Sequence, residues 1–204
     1  MKLPFAHCIT LEETPGRTKR LVEHLGSENI PHCLFDGINA EAMGLTTVNP
    51  YEVDGPGSGY IMPQKHTGLC MSHWLLWKRL YAFSGGPNDK SIILEDDAEF
   101  VPDWREKLND ITPPDDWDII LIGSCNCGDK PKTETSNPWL YKVHQPQCTH
   151  AYIVRHRALP TLIEMHKKIW APIDLALIFG AYEKLNVYCV LPRICGQHGQ
   201  EICP

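Results

Sequence analysis

The sequence predicts an α/β fold, a single domain over residues 1–204 with a mainly parallel central sheet flanked by helices. Three observations carry this. Short runs rich in β-branched residues alternate with helical patterns, the arrangement that builds a parallel sheet. Two of those runs, Ser91 to Leu94 and Asp118 to Ile122, read as buried-type strands. Internal repeats, low-complexity tracts and a composition shift that would mark a second unit are all absent.

In order, Phe5 to Thr10 reads as the first strand, Thr18 to Leu25 as the helix after it, and His32 to Phe35 as a second strand. The Gly/Pro-rich stretch Asn49 to Pro63 offers turns and no periodicity, so it is a long loop of the kind that often carries function. Leu69 to Phe83 is the strongest helix, with Leu69, Trp74, Trp77, Leu80 and Tyr81 at three- and four-residue spacing, and Gly85-Gly86-Pro87 ends it. Ala151 to Val154 is a strand, Leu159 to Lys168 a helix, Asp174 to Leu185 a helix, and Val187 to Leu191 the last strand.

The bulk properties narrow the function. The chain has 204 residues, 43% hydrophobic and 22% charged, with a formal net charge of -6 and no basic run. Nucleic-acid binding needs clustered cations that displace counterions, so that class is set aside. An acidic chain still binds an anionic nucleotide when a divalent metal lies between them. No stretch approaches the roughly 20 apolar residues of a membrane helix, and the N-terminus lacks an apolar leader, so the expected location is cytoplasmic. Nine cysteines without a leader read as reduced, mostly buried thiols; Cys125-x-Cys127 and the scattered Cys189, Cys195 and Cys203 lack zinc spacing.

The most informative segment is Ile92-Ile93-Leu94-Glu95-Asp96-Asp97. Three adjacent carboxylates repel one another, and they stand at the carboxyl end of a strand, where open α/β sheets bind ligands. A hard divalent cation, Mn²⁺ or Mg²⁺, relieves that repulsion through oxygen ligands. Alternate residues of an extended chain share a face, so Glu95 and Asp97 point the same way. The plain alternative is a solvated acidic turn; the apolar run in front of the triplet argues against it.

Further segments now form a pattern. Gly68-Leu69-Cys70-Met71-Ser72-His73, Leu76-Trp77 and Ile93-Leu94-Glu95-Asp96-Asp97 resemble glycosyltransferase family 25, which includes lipopolysaccharide (lipooligosaccharide) and collagen galactosyltransferases. Ile9-Thr10-Leu11 with Arg17, Trp117 to Gly123, Cys148 to Val154, Pro172-Ile173-Asp174 and Gln197 fit the same resemblance in the same order. Thr10 stands where asparagine is usual, Glu12 where aspartate is, and Cys148 where glycine is.

The resemblance implies a GT-A fold and inverting transfer of a hexose, galactose favoured, from a UDP-sugar to a hydroxyl of a glycan or a protein-linked acceptor. It implies Mn²⁺ or Mg²⁺ held by Glu95, Asp96 and Asp97. His198 is either a further ligand or a surface histidine. Asp174 is either the base that takes the acceptor's proton or the cap of the helix it begins. Thr10 and Arg17 are placed at the donor. Ser72 and His73 either face the donor or are held in the core. His150 and Tyr152, two apart on a strand, share a face and, with Gln197, line either the acceptor side or the pocket. Trp74 and Trp77 read as core. Two other classes compete: a catalytically silent nucleotide-sugar or glycan binder of the same fold, and a metal-dependent phosphoesterase or nucleotidyltransferase, in which the Ser72-His73 and Thr149-His150 segments have no evident place.

Overall fold

The computed structural model describes residues 1, 3–45, 62–125 and 132–199. The Gly/Pro-rich loop read from Asn49 to Pro63 lies outside the described residues except at its last two positions, as do Cys127 and Cys203.

Among the described residues, ten strands and five α-helices follow one another. They are β1 (Ala6–Thr10), α1 (Pro15–Ser27), β2 (His32–Asp36), α2 (Gln64–Ala82), β3 (Lys90–Glu95), β4 (Ala98–Phe100), α3 (Trp104–Asn109) and β5 (Ile119–Gly123). Then come β6 (Lys132–Glu134), β7 (Leu140–Val143), β8 (Ala151–Arg155), α4 (Leu159–Met165), α5 (Ile173–Ala176), β9 (Val187–Val190) and β10 (Cys195–Gln197). Eight strands form one sheet in the order β2-β1-β3-β8-β5-β9-β7-β6. The pairings run β1, β2, β3, β5, β6 and β9 in one direction and reverse β7 and β8, so the sheet is mixed but mainly parallel by strand direction.

Period-two alternation splits the core between the two faces. Ile92, Leu94, Ile120, Ile122 and Ile153 pack with Leu21 and Leu25 of α1 and with Trp104 and Leu108 of α3. Ile93, Ile119, Leu121, Tyr152 and Val154 pack with Leu76, Trp77 and Leu80 of α2 and with Leu159 and Leu162 of α4. Both faces are covered, which is why β3 and β5 are near-continuous apolar runs. Tyr81, expected on the buried stripe of α2, is 55% exposed.

Helix α2 starts at Gln64, earlier than its aromatic stripe indicates, because Pro63 fixes an extended backbone (φ -55°, ψ 144°) just ahead of it. The helix read from Asp174 to Leu185 is broken: after α5 the chain widens into a π turn over Leu177–Ala181 and closes with a 3₁₀ turn over Tyr182–Lys184. Most of that segment is buried, so packing against α4 overrides the regular helical period.

A small second sheet positions the site. β4, just after the acidic triplet, pairs antiparallel with β10, placing Gln197 opposite Ala98. The reversed strand β8 brings its own N-terminal approach, Thr149-His150, to the carboxyl end of β3: Leu94 pairs with Ala151, and the Glu95 N–H donates to the His150 carbonyl at 2.9 Å.

Candidate active site

The three acids end β3 and enter the turn to β4, and each has its own partners. Glu95 Oε1 accepts from Thr149 Oγ1 at 2.6 Å and from His73 Nε2 at 3.3 Å. Burial pushes the Glu95 carboxyl up, but the His73 and Thr149 contacts outweigh it and hold the group below its ordinary value. Asp96 is bound to α1: Oδ1 pairs with Arg17 Nη2 at 2.6 Å, and Oδ2 accepts from Thr14 Oγ1 at 3.1 Å. Its carboxyl is nonetheless raised, since burial together with the Asp97 and Glu95 charges exceeds what Arg17 and Thr14 offset. Asp97 Oδ2 accepts from Gln197 Nε2 and meets Arg17 Nη2, each at 3.1 Å. Asp97 Oδ1 is buried with no partner.

Behind Glu95 runs a fixed chain of hydrogen bonds. Trp77 Nε1, which can only donate, gives its proton to Tyr152 Oη at 2.8 Å. Tyr152 Oη lies 2.9 Å from His73 Nδ1, and His73 Nε2 faces the Glu95 carboxylate, which only accepts, so Nε2 is assigned the hydrogen. His73 and Tyr152 are thereby a buried support for the carboxylate. Trp77 is core, as expected, and also anchors this chain.

Two adjoining cavities meet at Glu95. The larger, about 770 Å³, is lined by Glu95, Asp96, Asp97, Arg17, Thr14 and Ser72 among others. That is the size of a small-ligand site. The smaller, about 190 Å³, is lined by Glu95, Thr149, His150, Pro172 and Asp174. His66, Leu69 and Gln197 border both. Sequence reasoning thus named residues on both sides of Glu95. Asp174 also accepts from the Leu175 N–H through Oδ1 at 2.9 Å inside the first turn of α5, whose N-cap is Pro172 with no side-chain cap bond.

The other expected residues have contacts of their own. Ser72 Oγ donates to the Gly68 carbonyl at 2.7 Å and accepts from the Ile38 N–H at 2.8 Å. A Cβ on Gly68 would stand 2.3 Å from the Ile38 carbonyl oxygen, so the Gly68–Ser72 pair docks the loop after β2 against α2. Thr10 is buried and borders a neighbouring cavity of about 740 Å³ with Glu12, Asp36 and Asn39, which shares Leu11, Glu13, Ile38 and Asn39 with the acid-lined one. His150 is fully buried; its Nε2 is 3.4 Å from the Cys195 carbonyl, its Nδ1 has no partner, and burial lowers its pKa against the pull of Glu95. A Cβ on Gly123 would come within 2.3 Å of that ring, which explains the glycine closing β5. His198 turns away from the acids: its backbone N–H donates to the Asp97 carbonyl at 2.7 Å, while Nδ1 meets Glu99 Oε2 at 3.0 Å beside Arg20 and His24.

The expectation of reduced thiols needs a correction. Cys125 and Cys148 form a disulfide, with Cα atoms 5.7 Å apart across 23 residues. Cys8, Cys33, Cys70 and Cys195 are free; burial pushes the Cys8 and Cys70 thiols up to about 12 and Cys195 further still, leaving them inert. Cys148 has φ 70°, the left-handed region.

Whether these residues suit a divalent cation is decided at Asp97. A buried carboxylate oxygen with no partner, on a cavity wall beside two more acids, is the hard donor such an ion takes. The three carboxylates do not by themselves converge: among the described residues the closest three-residue ligand set is Cys125, Cys148 and His150, where both sulfurs are spent in the disulfide. Of the triplet, Asp97 thus offers the oxygen whose chemistry suits such an ion.

The fold is of the GT-A-like α/β class, with an acid-lined cavity at the end of β3. The chain belongs to glycosyltransferase family 25 (LPS biosynthesis protein), whose model matches residues 4–124. No curated protein matches the sequence. Among solved structures, a glycosyltransferase involved in the glycosylation of the major capsid of the virus PBCV-1 is 11% identical, with TM-score 0.54, covering 98% of this chain and 95% of its own. The apo-form glycosyltransferase GlyE of Streptococcus pneumoniae TIGR4 is 8% identical, with TM-score 0.50, covering 92% of this chain and 45% of its own. No helix among the described residues is long and apolar enough to cross a membrane.

Proposed function

We propose that this chain is a metal-dependent, inverting hexosyltransferase that moves a hexose, galactose favoured, from a UDP-sugar to a hydroxyl of a glycan or protein-linked acceptor. The observation that carries this reading is the pair of cavities joined at Glu95, one walled by the acid triplet and Arg17 and the other by Asp174.

The donor diphosphate occupies the larger cavity, with Asp97 holding Mn²⁺ or Mg²⁺ and Arg17 released from its ion pairs to a phosphate oxygen. When bound, the ion supplies neutralisation of the charge that gathers on the departing diphosphate, an effect of several kcal/mol. Glu95, oriented by Thr149 and His73, faces both cavities and orients the sugar between them. Asp174 takes the acceptor hydroxyl's proton as that oxygen attacks the anomeric carbon in line. Thr10 belongs to the neighbouring cavity, where the donor's nucleoside end extends.

One observation favours a second reading, a catalytically silent nucleotide-sugar binder. The Arg17 guanidinium already bridges Asp96 and Asp97, doing for the acids what a metal would. Location is read from the disulfide, which favours an oxidising compartment over the cytoplasm.

UDP-hexose hydrolysis and transfer, measured with Mn²⁺ and again with a chelator, separate the readings. Turnover that needs the metal supports the transferase. Binding with no turnover under either condition supports the silent relative.

A further inference from the structure

We propose that the Cys125–Cys148 disulfide is a positioning device for the acid cluster, holding residue 148 in a left-handed backbone conformation so that Thr149 meets Glu95. The proposal rests on the reading above, in which Glu95 and Asp97 serve donor turnover.

The backbone supplies the first part of the argument. Among the described residues, two non-glycine positions have positive φ: Asn29 at 49° and Cys148 at 70°. Asparagine visits that region readily because its short amide bonds locally, whereas for other L-residues the Cβ collides with the following carbonyl. Cysteine has no such local bond to offer. What it does have here is a covalent tether to Cys125, just beyond β5.

The consequences fall on the next two residues. Thr149 Oγ1 donates to Glu95 Oε1 at 2.6 Å, and the His150 carbonyl accepts the Glu95 N–H at 2.9 Å. Both contacts to Glu95 thus leave the chain directly after the strained position, and rotating φ at 148 swings both away. The other half of the bridge reaches the second acid. Cys125 Sγ lies 3.5 Å from Gln197 Oε1, and Gln197 Nε2 donates to Asp97 Oδ2 at 3.1 Å. Disulfide sulfur carries no proton, so the first of these is a packing contact that braces the amide. The Cys125 N–H also donates to the Gln147 carbonyl at 3.3 Å, closing the two segments together.

Reduction by a dithiol such as dithiothreitol breaks the S–S bond. Each sulfur gains one electron and one proton, and the reagent closes to its own cyclic disulfide. Residue 148 then relaxes toward negative φ. Glycine adopts φ 70° with no tether, whereas alanine has neither the tether nor the freedom.

The test measures UDP-hexose turnover and amide hydrogen exchange of the peptide containing Glu95. Both are read for oxidised and dithiothreitol-treated wild type, Cys148→Gly and Cys148→Ala. Reduction is expected to lower kcat about tenfold with less change in KM, and to speed exchange at Glu95. Cys148→Gly restores both readouts and ignores the reductant; Cys148→Ala behaves as reduced wild type in either state. Equal turnover and exchange in oxidised and reduced wild type overturns the proposal, as does Cys148→Ala matching Cys148→Gly. Free thiols at 125 and 148 in the untreated protein overturn it as well. Exchange that follows the redox state while no form turns over any donor upholds the clamp and sinks the transferase reading instead.

Discussion

Thr149 and Glu95 meet across the boundary of two antiparallel strands, the hydroxyl donating to the carboxylate at 2.6 Å. The same carboxylate oxygen takes a second bond from His73, so its direction is set by two donors from different elements. Thr149→Val keeps the shape and removes one donor. We expect about 1–3 kcal/mol of lost stability, the usual consequence of unpairing a hydrogen-bonded charge. The loss in kcat should be about tenfold or more with KM nearly kept, read from initial rates beside a thermal melt. A variant matching wild type in both would show that Thr149 is incidental to Glu95.

Asp97→Asn retains the amide contact to Gln197 but loses the negative charge at the unpartnered oxygen. Metal-dependent donor hydrolysis should fall on the order of 10²–10³-fold with the fold intact. The measurement is the Mn²⁺ concentration dependence of UDP release. An unaltered Mn²⁺ response in this variant removes Asp97 as the metal's holder.

Asp174→Asn distinguishes proton transfer from a structural bond in the first turn of α5. As the base it supplies about 10²–10⁴ in rate, so transfer to acceptor should collapse while donor binding persists. Titration of UDP-sugar by calorimetry, next to the transfer rate, provides both numbers. Transfer at the wild-type rate would remove Asp174 as the base and leave as its role the bond to the Leu175 N–H, which the asparagine oxygen keeps.

Acid should destabilise the protein through its buried histidines. Burial lowers His166, and likewise His7, from 6.5 to about 4, and His150 and His156 shift the same way. Between pH 6.5 and 4 the unfolded chain therefore binds protons that the folded chain refuses. Stability falls as pH drops through that window and gains nothing from these groups above it. For the buried His166 this shift amounts to roughly 3 kcal/mol at its low-pH limit. His166, edge-on to Trp77 with Nε2 unpaired, is the cleanest probe. Chemical denaturation across this range should show a shallower acid slope for His166→Leu; an identical slope would mean that His166 titrates normally.

The parts of the fold that could be read in advance are those where one signal dominates. β3 and β5 declare themselves because both faces are covered, and α2 because its aromatic side chains repeat at helical spacing. The strands β4, β6, β7 and β10 escaped notice: three or four residues are too few to show alternation, and β6 is exposed throughout. At the site, the acid triplet was visible as charge crowded behind an apolar run. Its inner division was not, since Asp96 is bound to Thr14 and Arg17 through a helix that begins more than eighty residues earlier. Thr149 gave no signal of its own, a lone hydroxyl beside a more conspicuous histidine. The disulfide was hidden because pairing depends on a closeness in space that spacing along the chain does not disclose.

The partners of the acids come from far along the polypeptide: 82 residues separate Thr14 from Asp96, 54 separate Thr149 from Glu95, and 100 separate Gln197 from Asp97. Such contacts are among the last to be rewarded during folding, because the intervening loops must close first. The triplet consequently acquires its geometry only when both ends of the chain have come home. A fragment ending at residue 124, the limit of the family match, would carry every acid of the triplet and lack Thr149, Asp174 and Gln197.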